Sequence, residues 1–481
     1  TLLTTAPTST SAGRIEEPRP ITFMEGRHRR LAYGVGHAKY EASFVVEGAP
    51  LRIRWRLYAS PSDEGVLRAT VILRNGGRSA VELRLSVCSD LFVLPDFGGY
   101  LESDTAGEYL SVRHGGAFCG LVDGSYGYGL IVTGSTEQGH TDFTLHSDTV
   151  LTIGAGSERE LSAAIGFGSW WRDADRRDLL LSHKSPREAA AEWRERLEPV
   201  NAHGAASWEL REARWAHSQY LGFVSYDSSV GERFPALGGY CWERFSGREV
   251  AENLLALKEF DLELGRSSIR WLTKTQLSSG DIPKDHAYVP EEKETREFES
   301  DLEIWYLLGV SEFILATGEY ALLDQGLPYW DAGGDPLFSH LRAAYRWTLD
   351  SVGIRNHGRV KMRGGDWNDY LSGMGRGGEG ESVMNSGMAA RAYSRFAQVC
   401  RRRGDAVLEE ELVERAAQLR DAVARSYTGA WFVRGFDDQG RTVGGIEDGI
   451  CFLNAQSWAI LGGCAGEREQ KAAAEAARRL C

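Results

Sequence analysis

The hexapeptide Gly364-Gly365-Asp366-Trp367-Asn368-Asp369 gathers two carboxylates, an amide and an indole, and Gly377-Gly378-Glu379-Gly380-Glu381-Ser382-Val383 follows it closely. These residue types fit a saccharide site. The indole offers a flat apolar face, the amide and carboxylates bind hydroxyls, and one carboxyl can protonate a glycosidic oxygen. The paired glycines let the backbone turn sharply and approach a ligand. The tetrapeptide Asp366-Trp367-Asn368-Asp369 also serves a plain polar turn leading into a helix, because Asp, Asn and Gly are ordinary turn residues. A helix-forming run from Met384 to Arg402 begins just beyond and is the first element that must position the loop.

A longer ordered set of motifs is more specific than the loop by itself. GGDWND is followed by the Gly-rich GRGGEGESV, by a helical run, and by Ala455-Gln456-Ser457-Trp458-Ala459. Upstream, in order, stand Gln276 with Gly280-Asp281-Ile282 before His286, Ser300-Asp301-Leu302 with Trp305, and Ala316-Thr317-Gly318-Glu319. As a set, from about residue 208 to 465, these resemble the inverting sugar phosphorylases of glycoside hydrolase family 94, which include cellobiose, cellodextrin and chitobiose phosphorylases.

The resemblance implies a six-hairpin (α/α)6 barrel of twelve helices and a homodimer. It also implies inverting phosphorolysis of a β-linked glucoside disaccharide or oligosaccharide to an α-sugar 1-phosphate, with inorganic phosphate as co-substrate and no cofactor. It places the proton donor at Asp369 and Trp367 in the donor-sugar pocket. The family's Arg-Asp-x-x-Gln-Asp helix start corresponds to Arg248-Glu249-Val250-Ala251-Glu252-Asn253, with Arg244 upstream near the phosphate. Arginine is kept at the first position, whereas Glu249, Glu252 and Asn253 depart from the pattern, so the donor sugar is open. Arg248 and Glu252 alternatively form an i,i+4 surface pair. Asp366, Asn368, Arg248, Glu249 and Glu381 are the candidate sugar contacts. The family's late histidine and Thr-Gly phosphate ligands have no counterpart before Cys481, and His286 and His357 are ordinary loop histidines unless recruited.

Physical reasoning agrees on a carboxyl acid beside an indole, where partial burial holds the proton. Asp366 competes with Asp369 for that role, and otherwise caps the turn or binds a hydroxyl. An inverting hydrolase needs a second carboxylate, ~6.5–9.5 Å from the acid, to activate water; Glu381, Glu447 and Asp448 are candidates. Phosphate is itself a nucleophile and needs only to be held by arginines and backbone amides. A hydrolase therefore remains an alternative, as does a non-catalytic carbohydrate-binding relic.

Composition bounds the remaining classes. At 481 residues the chain exceeds one ordinary core, and 42% hydrophobic with 26% charged residues describes a soluble globular protein. Fifty-five basic against 68 acidic residues give a net charge of −13, which argues against nucleic acid as main partner. No apolar run reaches the ~18 residues of a membrane span, and the start lacks a signal peptide. The seven cysteines form no C-x-x-C pair, which favours reduced thiols in the cytoplasm over disulfides or zinc. No P-loop, dinucleotide fingerprint or metal-ligand cluster is present. The chain lacks an initiator methionine and stops within the helical pattern Glu467 to Leu480, so a fragment is expected at both ends.

Taken in order, residues 1–38 are unpatterned. Alternating runs such as Leu51-Arg52-Ile53-Arg54-Trp55 predict an antiparallel β-sandwich, the domain being 1–168. Residues 169–207 form a helical linker, with Ser185-Pro186 as a capped start. Trp170, Trp171 and Trp193 in that linker either pack the sandwich on the barrel or supply an apolar dimer contact. From 208 to 481 helices are expected at 208–225, 246–258, 266–276, 300–317, 336–352, 383–402, 406–425, 455–463 and 467–480. They form a toroid whose last helices would lie beyond Cys481.

Overall fold

The structure, a computed structural model, describes residues 2–5, 21–22, 27–34, 36–46, 48–62, 66–90, 111–113, 116–121, 126–132, 137–141, 144–168, 184–198, 204–227, 229–236, 244–287 and 299–480. The chain forms two compact units, residues 1–219 and 220–481.

The first unit is built on alternation. In the strand Ala49–Ala59, Leu51 and Ile53 are buried while Arg52 between them faces water, the period of two that a half-buried strand requires. An eight-stranded antiparallel sheet runs, in spatial order, through Arg27–Gly34, His37–Val46, Ala49–Ala59, Val66–Asn75, Glu158–Gly168, Tyr126–Val132, Gly116–Leu121 and Ser111–Arg113. A five-stranded sheet includes Val81–Asp90 and Thr144–Ile153 as neighbours. Ala42, Ile53 and Leu73 of the larger sheet share one buried cluster with Leu83, Leu85 and Ile153 of the smaller, so the two sheets enclose a sandwich core. Buried Asn75 ties the layers by donating from Nδ2 to the Ile153 carbonyl at 2.9 Å.

Helix α1 (Pro186–Leu197) starts on a capping box in which Ser185 and Glu188 exchange hydrogen bonds, with proline in the first turn. Its Trp193 is buried against its own sheet, and the indole nitrogen donates to the Ala59 carbonyl at 2.7 Å. Trp170 and Trp171 lie outside the described residues.

From Ser207 onward nine α-helices are present among the described residues. They are α2 (Ser207–Gly222), α3 (Gly247–Phe260), α4 (Leu262–Thr275), α5 (Leu302–Thr317), α6 (Leu337–Trp347), α7 (Val383–Arg403), α8 (Ala406–Ala424), α9 (Leu453–Leu461) and α10 (Glu467–Leu480). Helix α5 is buried around its whole girth from Leu302 to Ile314, as befits a helix enclosed on all sides. It packs between α3 and α7, and α7 in turn touches α8 and α9. Close approach is enforced by small residues: a Cβ on Gly309 would lie 2.4 Å from the Ala251 carbonyl oxygen, and one on Gly387 would lie 2.6 Å from that of Trp458. One apolar core runs through this unit from Tyr220 to Ala473. A small four-stranded sheet of Lys361–Met362, Gly380–Ser382, Gly435–Phe436 and Thr442–Val443 sits beside the loop 364–369.

Candidate active site

The N-termini of α3, α5 and α7 carry two buried charge clusters. Arg248, in the first turn of α3, donates from one terminal nitrogen to Oε2 of Glu299 at 2.7 Å and to Oδ1 of Asp301 at 2.9 Å. Lys284 reaches the other oxygen of Glu299 at 2.9 Å. Asp301 precedes α5 but does not cap it, because its carboxylate is committed to Arg248 and to the indole N–H of Trp305. Burial raises the Asp301 carboxyl to about 6, opposed by Arg248 and reinforced by Asp366. Arg248 is therefore buried and bridged across elements; the i,i+4 surface pair with Glu252 does not form.

Asp366 anchors the second cluster. Arg434 donates to its Oδ1 at 2.6 Å and reaches its Oδ2 as well. Ser382 donates to Oδ2 at 3.1 Å, and the Asn368 amide donates to Oδ1 at 3.0 Å. Arg434 also donates to Ser382 Oγ at 3.0 Å, and that same oxygen accepts from the Asn385 amide to cap α7. The two clusters are knitted together through Ser300, whose amide and hydroxyl both donate to the Gly365 carbonyl, while Asn385 donates to the Ser300 hydroxyl. A Cβ on Gly365 would come within 3.0 Å of both carboxylate oxygens of Glu299, which explains glycine at that point. The loop is thus held from beneath by fully buried polar groups.

Above that base the loop turns outward. Trp367 is 50% exposed and Tyr370 fully exposed. Asn368 caps the 3-10 turn Asp369–Gly375 by accepting from the Tyr370 amide at 3.2 Å. Asp369 is the first residue of that turn; its side chain lies outside the described residues.

The other candidates are placed as follows. Glu381 is fully buried and accepts from Arg359 and from His357 Nδ1, each at 2.9 Å. It neighbours Ser382 on the strand Gly380–Ser382, and successive strand residues face opposite sides, so Ser382 and Glu381 serve different clusters. Glu447 and Asp448 are exposed, with Asp448 accepting from the Gly445 amide. Arg244 lies on the strand Arg244–Ser246, which pairs with Asp285–Ala287 and sets the Phe245 backbone opposite His286; the side chains of Arg244 and His286 lie outside the described residues. One oxygen each of Glu249 and Glu252 is inaccessible and without a hydrogen-bond partner among the described residues. Burial pushes the Glu252 carboxyl up to about 8, with Glu249 and Asp301 adding to the shift and Arg248 opposing it, so Glu252 holds its proton at neutral pH.

Arg434, Glu299 and Lys284 are the members that motif reading passed over, and Ser382 stood in the Gly-rich motif without a role of its own. Arg434 had a signal: it is a lone cation after the apolar run Trp431-Phe432-Val433, and such a charge, once buried, demands a partner. Among the described residues no group of three or more His, Cys, Asp or Glu could hold a metal ion, and no helix is long and apolar enough to cross a membrane.

Residues 249–480 match the model of the glycosyl hydrolase 94 superfamily, catalytic domain. Over those residues the helical unit is similar to the glycosyl hydrolase 94 catalytic domain. Solabiose phosphorylase of Paenibacillus borealis is 33% identical over 232 residues, 46% of this chain and 28% of that protein. The 3-O-beta-D-glucopyranosyl-beta-D-glucuronide phosphorylase of the same organism is 34% identical over 174 residues, 35% of this chain and 22% of its own. N,N'-diacetylchitobiose phosphorylase of Vibrio furnissii is 29% identical over 182 residues, 37% of this chain and 22% of that protein. The aligned stretches thus span about a quarter of the length of these relatives. The matched glycosyl hydrolase 94 segment contains the loop 364–369, both partners of the Arg434–Asp366 pair, and Glu299 and Asp301; Arg248 lies one residue before it.

Proposed function

We propose that this chain carries out inverting phosphorolysis of a β-linked glucoside disaccharide or oligosaccharide, releasing an α-sugar 1-phosphate and a shortened acceptor. The observation that carries the reading is the buried clamp of Arg434, Ser382 and Ser300 on the Asp366 loop, inside the segment 249–480 that matches the glycosyl hydrolase 94 model, in a chain with stretches similar to three phosphorylases. The clamp fixes the backbone from which Trp367 and Asp369 extend, so remote binding energy can go into orientation rather than ordering.

In this reading a phosphate oxygen attacks the anomeric carbon as the bond from that carbon to the leaving oxygen breaks, and the leaving oxygen takes its proton from Asp369. Trp367 provides the stacking face for the donor sugar, with Asn368, Arg248 and Glu249 around it. Asp366 acts as a positioning residue, since it is fully buried with Arg434 on both of its carboxylate oxygens. Arg244 receives phosphate, and the pairing of its strand with Asp285–Ala287 brings His286 close by in the backbone. The nine helices form part of an (α/α)6 toroid.

Release of sugar 1-phosphate from candidate disaccharides, strictly dependent on added phosphate, tests the assignment. Free monosaccharide formed equally without phosphate would replace it with an inverting hydrolase.

A further inference from the structure

We propose that the cavity at the C-terminal ends of α5 and α7 is a second ligand site, for a phosphate-class anion. The cavity holds about 630 Å³, within the ~300–1,000 Å³ range of small-molecule sites. Arg395, Arg401 and Arg402 line it together with Gln398, Tyr320 and Glu312. The local charge is unbalanced. Glu312 accepts from both Arg391 and Arg395, at 2.7 and 2.9 Å, so one carboxylate answers two guanidiniums. Arg401 pairs with Glu409 and Arg403 with Asp324, whereas Arg402 has no ion pair among the described residues. Arg391, Arg395, Arg401 and Arg402 thus face Glu312 and Glu409, an excess of two positive charges in a chain whose net charge is −13.

Arginines in the last turn of α7 also complement the helix dipole. That accounts for the run 401–403 but not for Arg395, which stands two turns earlier and lines the same hollow. Guanidinium forks match phosphate oxygens bidentately, and the amide of Gln398 and phenol of Tyr320 suit hydroxyls beside the phosphate. Helices α5 and α7 begin in the candidate active site at Asp301 and Ser382, so this cavity lies about a helix length, roughly 24 Å, away from it. The inference is independent of the phosphorolysis reading.

Isothermal titration of the full chain with inorganic phosphate, and separately with glucose 6-phosphate, tests it. Saturable binding of at least one probe is expected in a component separate from any phosphate held at the candidate active site, and the affinity of that component falls about tenfold or more in Arg402→Glu and is largely restored in Arg402→Lys. Arg376→Glu, an exposed charge reversal on the loop near the candidate active site, is expected to change it less than about twofold. Equal affinity for the two probes identifies the free anion as ligand; tighter glucose 6-phosphate binding identifies a phosphorylated sugar. Absence of saturable binding by both probes, or binding that Arg402→Glu leaves unchanged, would overturn the proposal. Arg402 is exposed, so its variants are expected to fold, and circular dichroism checks that they do.

Discussion

Arg434 and Asp366, 68 residues apart, meet at 2.6 Å with neither side chain exposed to solvent. Their pairing fixes the start of the Trp367–Asp369 loop against the small sheet beside α7. Removing one partner of a buried pair strands the other charge, at a cost of ~3–5 kcal/mol. Arg434→Met should therefore lower unfolding free energy by about that much. Arg434→Met combined with Asp366→Asn should cost clearly less than the two single changes summed. Urea denaturation of the four proteins measures the coupling; simple additivity would show that the pair does not interact.

Glycine spacing in the same loop gives a second test. A Cβ on Gly375 would stand 1.4 Å from the Met362 carbonyl oxygen, which is backbone and cannot swing away, whereas one on Gly373 meets nothing within 4 Å. Gly375→Ala is expected to lose roughly 2–3 kcal/mol of stability and most activity by displacing the 369–375 turn. Gly373→Ala should be within about 0.5 kcal/mol of the parent. Thermal melts and turnover of both variants decide this.

The helices were legible because apolar periodicity and caps coincide: the run beginning near Met384 is α7, and the Ser185-Pro186 start is α1. The sandwich was legible from alternation at Leu51, Arg52 and Ile53. The buried base of the site was not. Glu299 and Arg434 acquire their meaning from partners 51 and 68 residues away, and pairings of that span leave no local pattern. Glu381 illustrates the converse. It stands in a Gly-rich loop motif, yet its direction is fixed by strand parity, which sends Ser382 to Asp366 and Glu381 to Arg359.

Glu252 predicts how stability follows pH. Its folded value of about 8 exceeds the ordinary 4.5, so the folded chain holds the proton more tightly than the unfolded chain does. The resulting stabilisation is complete below pH 4.5 and is lost as pH rises through 8. Asp301, raised from 3.8 to about 6, adds a similar loss at lower pH. Glu252→Gln should be more stable than the parent by roughly 1–2 kcal/mol near pH 9, with no such advantage near pH 4.5. Chemical denaturation across this range checks it; a constant difference at every pH would refute the titration.

Asp369 bears the central claim, because protonation of the leaving oxygen has been assigned to it. Asp369→Asn keeps shape and hydrogen-bonding capacity but cannot deliver a proton. Phosphate-dependent turnover of a disaccharide substrate should fall by about 10²–10⁴-fold with KM little changed. The loss should shrink for an aryl glycoside, whose good leaving group needs less protonation. Asp366→Asn should impair stability or binding without that leaving-group dependence. Measured together as kcat and KM on both substrates, this pattern is the account's most direct test. Near-normal disaccharide turnover by Asp369→Asn, with Asp366→Asn inactive and sensitive to the leaving group, would contradict it and move the acid to Asp366.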